Sequence, residues 1–156
     1  MNLTPGQLRE TLQLTQDAYR HWKKVLFPLA VRKGRRARFT HGDLLALAII
    51  KSLTDKIGVP VGNLDPLARA LFEACGEQSW ARLERLTALI FPDGWVLQFA
   101  PESQPAPMGR VMISIPCGPI IASLRAALMT EQIEEVQTAL RFPLTAVAAE
   151  RGGRSS

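Results

Sequence analysis

The chain has 156 residues, of which 47% are hydrophobic and 21% charged, with 19 basic and 14 acidic side chains and a formal net charge of +5. This composition predicts a globular protein with a real core, and the length fits one domain or two small ones. No apolar stretch approaches the length of a membrane span, and the polar N-terminus does not predict a secretory signal, so we expect no membrane partner.

The positive charge is concentrated in one segment. Residues 20–38 contain eight basic side chains and no acidic one, so the other positions carry 11 basic against 14 acidic residues. A concentrated positive field favours a polyanionic partner, and nucleic acid is the commonest polyanion in a cell. A solvated basic loop is the alternative interpretation.

Three helix starts precede and follow this segment. Thr4 is predicted to cap a helix over 5–12 with Gln7 completing a capping box, and Thr15 to cap a helix over 16–26. Thr40 is predicted to cap a third helix, 41–56, with Asp43 at the box position and Gly58 as the stop. The short connection between the first two helices predicts a helix-turn-helix.

The second helix is predicted to have two faces. Ala18, Trp22 and Val25 share an apolar face, and the opposite face is polar and mostly basic, as a recognition helix in the major groove requires. The residues of this helix that we predict to contact DNA are Gln16, Asp17, Tyr19, Arg20, His21, Lys23 and Lys24.

A basic hairpin is predicted to follow this helix. Pro28 ends the helical region, and Gly34 is the turn residue between two short segments that can pair. A hairpin in this place is a wing, which can reach phosphates or the minor groove. The predicted DNA-binding residues of the wing are Arg32, Lys33, Arg35, Arg36 and Arg38.

This order of elements resembles the MerR-type winged helix-turn-helix over residues 3 to about 75. The resemblance is carried by the triplet Arg20-His21-Trp22 and by the junction Arg38-Phe39-Thr40-His41-Gly42-Asp43-Leu44. Two positions depart from the family pattern: His21 replaces an aromatic residue that often touches the DNA backbone, and Lys23 stands where an acid is common. The resemblance implies DNA binding and a long dimerising helix, which residues 80–91 are too short to provide.

The second half has a different pattern. A helical stretch over 59–76, broken near Asp65-Pro66, and a helix over 80–91 are predicted first; the apolar stripe of the latter is interpreted as core, with a ligand site as the alternative. Residues 95–99 and 111–115 are short β-prone runs that we expect to pair as a hairpin around an irregular proline-rich loop. Helix follows from 119 to about 140, with Thr130 as a candidate cap for a second piece.

These elements predict a mainly α fold with a small β component. The predicted organisation is a winged helix-turn-helix domain over 1–76, a helix/hairpin/helix region over 77–150 and a flexible tail over 151–156. A marginal two-stranded hairpin needs a partner surface, so the second region is expected to form a homodimer, with a small-molecule effector pocket as the alternative.

The predicted function is that of a sequence-specific transcription regulator. We expect a repressor or autoregulator that binds double-stranded DNA as a homodimer at a palindromic operator, in the cytoplasm and associated with the nucleoid. An accessory DNA-bending, excisionase-like factor is the alternative. With only His21 and His41 as histidines, and both in the predicted DNA-binding half, we expect no catalysis, metal or cofactor. Cys75 and Cys117 are expected to be buried thiols, with a metal or redox role as the alternative.

Overall fold

A computed structural model describes residues 2–105 and 107–154, with side chains described up to residue 138. The chain forms two compact units, of which the first extends to Leu124 and the second begins at Arg125. The described part is mainly helical with one three-stranded antiparallel sheet, which confirms the predicted fold class at this level. The predicted domain boundary after residue 76 lies inside the first unit.

The first two helices begin where the capping residues predict. In α1 (Pro5–Leu12) the Thr4 hydroxyl accepts the Gln7 N–H at 3.2 Å, and the Gln7 side chain accepts the Thr4 N–H at 3.0 Å. The next helix, α2 (Gln16–Val25), begins at Thr15, whose hydroxyl accepts the Ala18 N–H at 3.1 Å. Both starts are local sequence signals, and both are confirmed.

The predicted wing hairpin is wrong. Residues 27–30 form a short helix, α3 (Phe27–Ala30), and residues 31–38 form turns without a strand. The Ala30 N–H is donated to the Leu26 carbonyl oxygen, so the segment predicted as the first strand is used in a helix. Phe39 instead pairs with Leu3 in an isolated antiparallel bridge, with N···O distances of 2.7 and 2.9 Å.

Helix α4 (His41–Ser52) is the centre of the first unit. Thr40 and Asp43 form the predicted capping box, and every residue from Gly42 to Ile50 is buried. A π-helical turn (Leu53–Ile57) continues α4 to Gly58, which has a left-handed φ of 80° and ends it as predicted. A 3-10 turn (Val61–Leu64) leads into α5 (Asp65–Cys75), which confirms the predicted break near Asp65.

The predicted helix over 80–91 is wrong after its first turn. Only α6 (Trp80–Leu83) is helical, and the chain then enters β1 (Leu86–Phe91). The sequence predicts that β2 (Val96–Pro101) and β3 (Ile113–Pro116) pair with each other as a hairpin. This prediction is wrong, because the two strands lie on opposite sides of β1. Five of the six residues of β1 are buried, because strands on both edges satisfy its backbone and side chains pack on it.

The last element is a single helix, α7 (Cys117–Arg154). Cys117, Ile121 and Leu124 on its first turns are buried in the first unit. The Thr130 hydroxyl donates to the Ala126 carbonyl at 2.9 Å, so Thr130 lies within the helix and does not start a second piece. Helix continues through Arg154 into the predicted tail, and the tail residues 155 and 156 lie outside the described part.

Candidate nucleic-acid interface

Helix α2 is amphipathic in the predicted sense. Trp22 is 5% exposed, whereas a row of polar side chains on the other face is exposed to solvent. This row consists of Gln16, Asp17, Arg20, His21 and Lys24. The Arg20 and Asp17 side chains approach to 3.9 Å while both remain largely solvated, so the pair contributes little stability and leaves Arg20 available to a ligand.

The structure corrects the predicted role of Tyr19. Its side chain is buried, and this burial raises the pKa of its phenol, so Tyr19 belongs to the core beside Trp22. The Lys23 Nζ lies 5.7 Å from the centre of the Tyr19 ring, and Lys23 is half-buried. A lysine can pack its stem on such a ring and keep its ammonium group in water, so Lys23 remains a candidate contact at the border of the exposed face.

The basic loop, defined as Lys33–Arg38, is exposed but ordered by its own contacts. Gly34 has a φ of 79° at its turn, and the Ala37 N–H bonds the Gly34 carbonyl at 3.3 Å. The Arg38 guanidinium donates to the carbonyl oxygens of Arg35 (3.0 Å) and Ala37 (2.9 Å). The exposed cations of this loop are Lys33, Arg35, Arg36 and Arg38. The loop therefore presents four cations in a turn rather than at the tip of a hairpin.

Arg32 has a structural environment that the sequence did not reveal. Its Nη1 donates to Oδ2 of Asp43 at 2.5 Å, and the Asp43 side chain is only 2% exposed. The guanidinium carbon also lies 5.2 Å from the ring centres of both Phe39 and Phe72. Arg32, predicted as a wing residue that contacts DNA, is therefore engaged by the protein itself.

The exposed face of α2 and the basic loop are the two cationic stretches of the first unit, and α3 joins them. Leu29 of α3 packs into the core together with the preceding Leu26. Next to this helix lies a cation that the charge run did not include. The Arg69 guanidinium carbon is 4.2 Å from the centre of the half-exposed Phe27 ring, and Arg69 Nε bonds Asp65 at 3.0 Å. The signal that could have found this cluster is the Asp65-to-Arg69 spacing on a predicted helix, which places both side chains on one face.

Two buried thiols and one half-buried imidazole of the first unit have shifted pKa values. Burial raises the pKa of the Cys75 thiol to about 12 and that of Cys117 to about 11, and neither is in a disulfide. Burial lowers the pKa of His41, whose ring lies 4.8 Å from that of Trp80 and whose carbonyl accepts the indole N–H at 2.7 Å. Among the described residues, no three or more histidine, cysteine, aspartate or glutamate side chains are grouped to hold a metal ion.

The second unit exposes an apolar stripe on α7. Met129, Ile133 and Val136 follow at helical spacings of four and three and are 62%, 53% and 57% exposed. Gln132 and Gln137 border an open groove along these residues. A groove on one helix is open to solvent, so it does not by itself enclose a small-molecule effector.

No family model, no curated protein and no solved structure matches this chain. Within the described residues, no helix is both long enough and apolar enough to cross a membrane.

Proposed function

We propose that this chain is a sequence-specific DNA-binding transcription regulator that acts as a homodimer. The observation that carries the proposal is the surface of α2, which exposes Arg20, His21 and Lys24 while Trp22 anchors its other face in the core. A helix held in this way can enter the major groove, where polar side chains reach the edges of bases.

The two cationic stretches suit different parts of DNA. Arg20 lies in the middle of the exposed face of α2, and its planar guanidinium can bond O6 and N7 of a guanine. The basic loop follows α2 after only one short helix and presents its cations from a turn, which suits the phosphate backbone. We therefore assign base recognition to α2 and orientation on the duplex to the basic loop.

The apolar stripe supports the homodimer. Apolar side chains at spacings of four and three form a seam of the kind that two helices bury against each other. Each copy would then carry one α2, and two copies joined in this way bind a palindromic operator more tightly than one copy does. The sequence predicts dimerisation through the helix/hairpin/helix region without distinguishing strands from helices, and we propose helix packing along this stripe as the contact.

The test begins with an operator selected from a random duplex library. Binding of the selected duplex and of an unrelated duplex is then measured by fluorescence anisotropy for the unmodified protein, Arg20→Ala and Arg36→Ala. Arg82→Ala is the matched control, because it removes the same charge from an exposed position on α6.

Arg20→Ala is expected to cost about 1–3 kcal/mol on the selected operator and less on the unrelated duplex. Arg36→Ala should weaken both complexes and reduce the slope of log affinity against log salt by about 0.9. Equal losses for Arg20→Ala on both duplexes would remove the base-reading role. Binding that does not respond to salt would remove DNA as the main partner.

A further inference from the structure

The start of the basic loop is held by an ion pair between the half-buried Arg32 and the buried Asp43. The Asp43 carboxylate accepts the Arg32 guanidinium at 2.5 Å and the Thr40 N–H at 2.9 Å, both through Oδ2. The Thr40 hydroxyl, which caps α4 through the Asp43 N–H, donates to the Gly76 carbonyl at 2.6 Å. The Arg32 side chain is thus bound to the first turn of α4, and that turn is bound to the end of α5.

The end of the basic loop is held by the backbone. Phe39 exchanges two hydrogen bonds with Leu3, and the Phe39 side chain is fully buried. Arg32 and Phe39 therefore fix both ends of the loop on the core of the first unit. Because the Arg32 guanidinium also lies over the Phe39 ring, the two anchors are in contact with each other.

The positive charge of Arg32 is compensated inside the protein, unlike the charges of the loop cations. A carboxylate that is 2% exposed requires a partner, and Arg32 compensates it, whereas the neighbouring cations face solvent. Only a planar guanidinium can bond a carboxylate and lie over two aromatic rings at once; a lysine ammonium is a point charge that is more strongly hydrated.

We infer that Arg32 is a positioning residue for DNA binding, which acts by fixing the basic loop on α4 through Asp43 and not by contacting DNA. This inference rests on the proposed function. In this role the first turn of α4 contributes to DNA binding. The negative charge of Asp43 by itself repels DNA, but Asp43 supports binding because it holds the basic loop through Arg32.

The test compares charge with geometry. Arg32→Lys keeps the charge and loses the planar group, and Arg32→Gln loses both. DNA affinity is measured for each variant in the native loop and in a neutralised loop, in which Lys33→Ala, Arg35→Ala and Arg36→Ala leave the backbone-bonded Arg38 as the one remaining cation. The temperature is one at which circular dichroism shows every variant folded.

We expect each Arg32 substitution to lower the DNA affinity by about tenfold in the native loop. In the neutralised loop the same substitution should not lower the affinity further, because Arg32 acts through the loop cations and the effects of coupled residues do not add. Retention of full affinity by Arg32→Lys, or independent losses in the neutralised loop, would overturn the inference, because a phosphate contact behaves in that way. A general loss of stability without a change in loop conformation would lower affinity in both loops and would also overturn it.

Asp43→Asn provides an independent readout. It removes one negative charge, so electrostatic attraction alone predicts tighter DNA binding, whereas the positioning role predicts weaker binding. Tighter binding would therefore contradict the inference. If this variant does not fold, the Arg32→Lys comparison decides. If the unmodified protein binds no duplex DNA, the proposed function fails, and that result is distinct from a failure of the positioning role.

Discussion

A Cβ atom placed on Gly42 would lie 1.8 Å from the carbonyl oxygen of Cys75, so α4 and α5 meet at a point that has no room for a side chain. We expect Gly42→Ala to destabilise the protein by about 3 kcal/mol, because a methyl group there forces the two helices apart. The measurement is the urea midpoint of unfolding.

Gly6→Ala is the matched control for this variant. Gly6 lies in α1, and a Cβ atom placed on it would meet only the Thr4 hydroxyl, at 3.9 Å. Because alanine loses less conformational entropy in a helix than glycine does, Gly6→Ala should stabilise the protein by about 0.5–1 kcal/mol. Equal midpoints for the two variants would show that the close approach of α4 and α5 is not required.

The stability of the first unit should depend on the protonation of His41. Burial lowers the pKa of its imidazole, so the unfolded chain binds this proton more readily than the folded protein. The corresponding stability is fully present above the unfolded pKa of about 6.5 and is lost as the pH falls toward the lower folded pKa. His41→Gln should therefore flatten the dependence of the unfolding free energy on pH between about 7.5 and about 5. A slope that His41→Gln leaves unchanged would show that this imidazole does not supply the pH dependence of the unfolding free energy.

Neither cysteine should react while the protein is folded. The thiolate is the reactive form, and the raised pKa values of about 12 for Cys75 and about 11 for Cys117 leave little of it near neutral pH. With an aromatic disulfide reagent at about pH 8, we expect no rapid reaction in buffer and two equivalents of thiol in denaturant, one for each cysteine. Rapid titration of one thiol in the folded protein would show that its surroundings open.

The apolar stripe should control assembly. Ile133→Asp places a carboxylate in the middle of the stripe and should convert the proposed dimer to a monomer in sedimentation velocity at roughly micromolar concentration. Thr138→Asp introduces the same residue at an exposed position on the opposite face of α7 and should leave the dimer intact. A dimer that survives Ile133→Asp would place the contact elsewhere on the chain.

The features that the sequence predicts best are helix starts, because residues close together in the chain determine them. The capping pairs Thr4 with Gln7 and Thr40 with Asp43 each lie within four residues, and their hydrogen bonds form as expected. The same locality explains why the exposed and buried faces of α2 follow from the sequence in outline. Tyr19 is the exception, because an aromatic ring with a polar end is compatible with either face.

The errors concern contacts between residues far apart in the chain. Leu83, Leu86 and Ile90 satisfy a helical spacing, but β1 forms because β2 and β3 are available on both of its sides. In the same way, Phe39 pairs with Leu3 instead of a neighbour across Gly34, which removes the wing. The role of Arg32 depends on Asp43 and on Phe72 in a later helix, and no local pattern reports such a partner.

The sheet also limits how copies of this chain can associate. Within the part of the chain that the structure describes, the edge strands β2 and β3 each pair only with β1, and they end at Pro101 and Pro116. A proline has no N–H to donate, and short edge strands that end in this way offer little template for another strand. Protection of this kind disfavours edge-to-edge aggregation, so the sheet is not expected to extend from one molecule to the next.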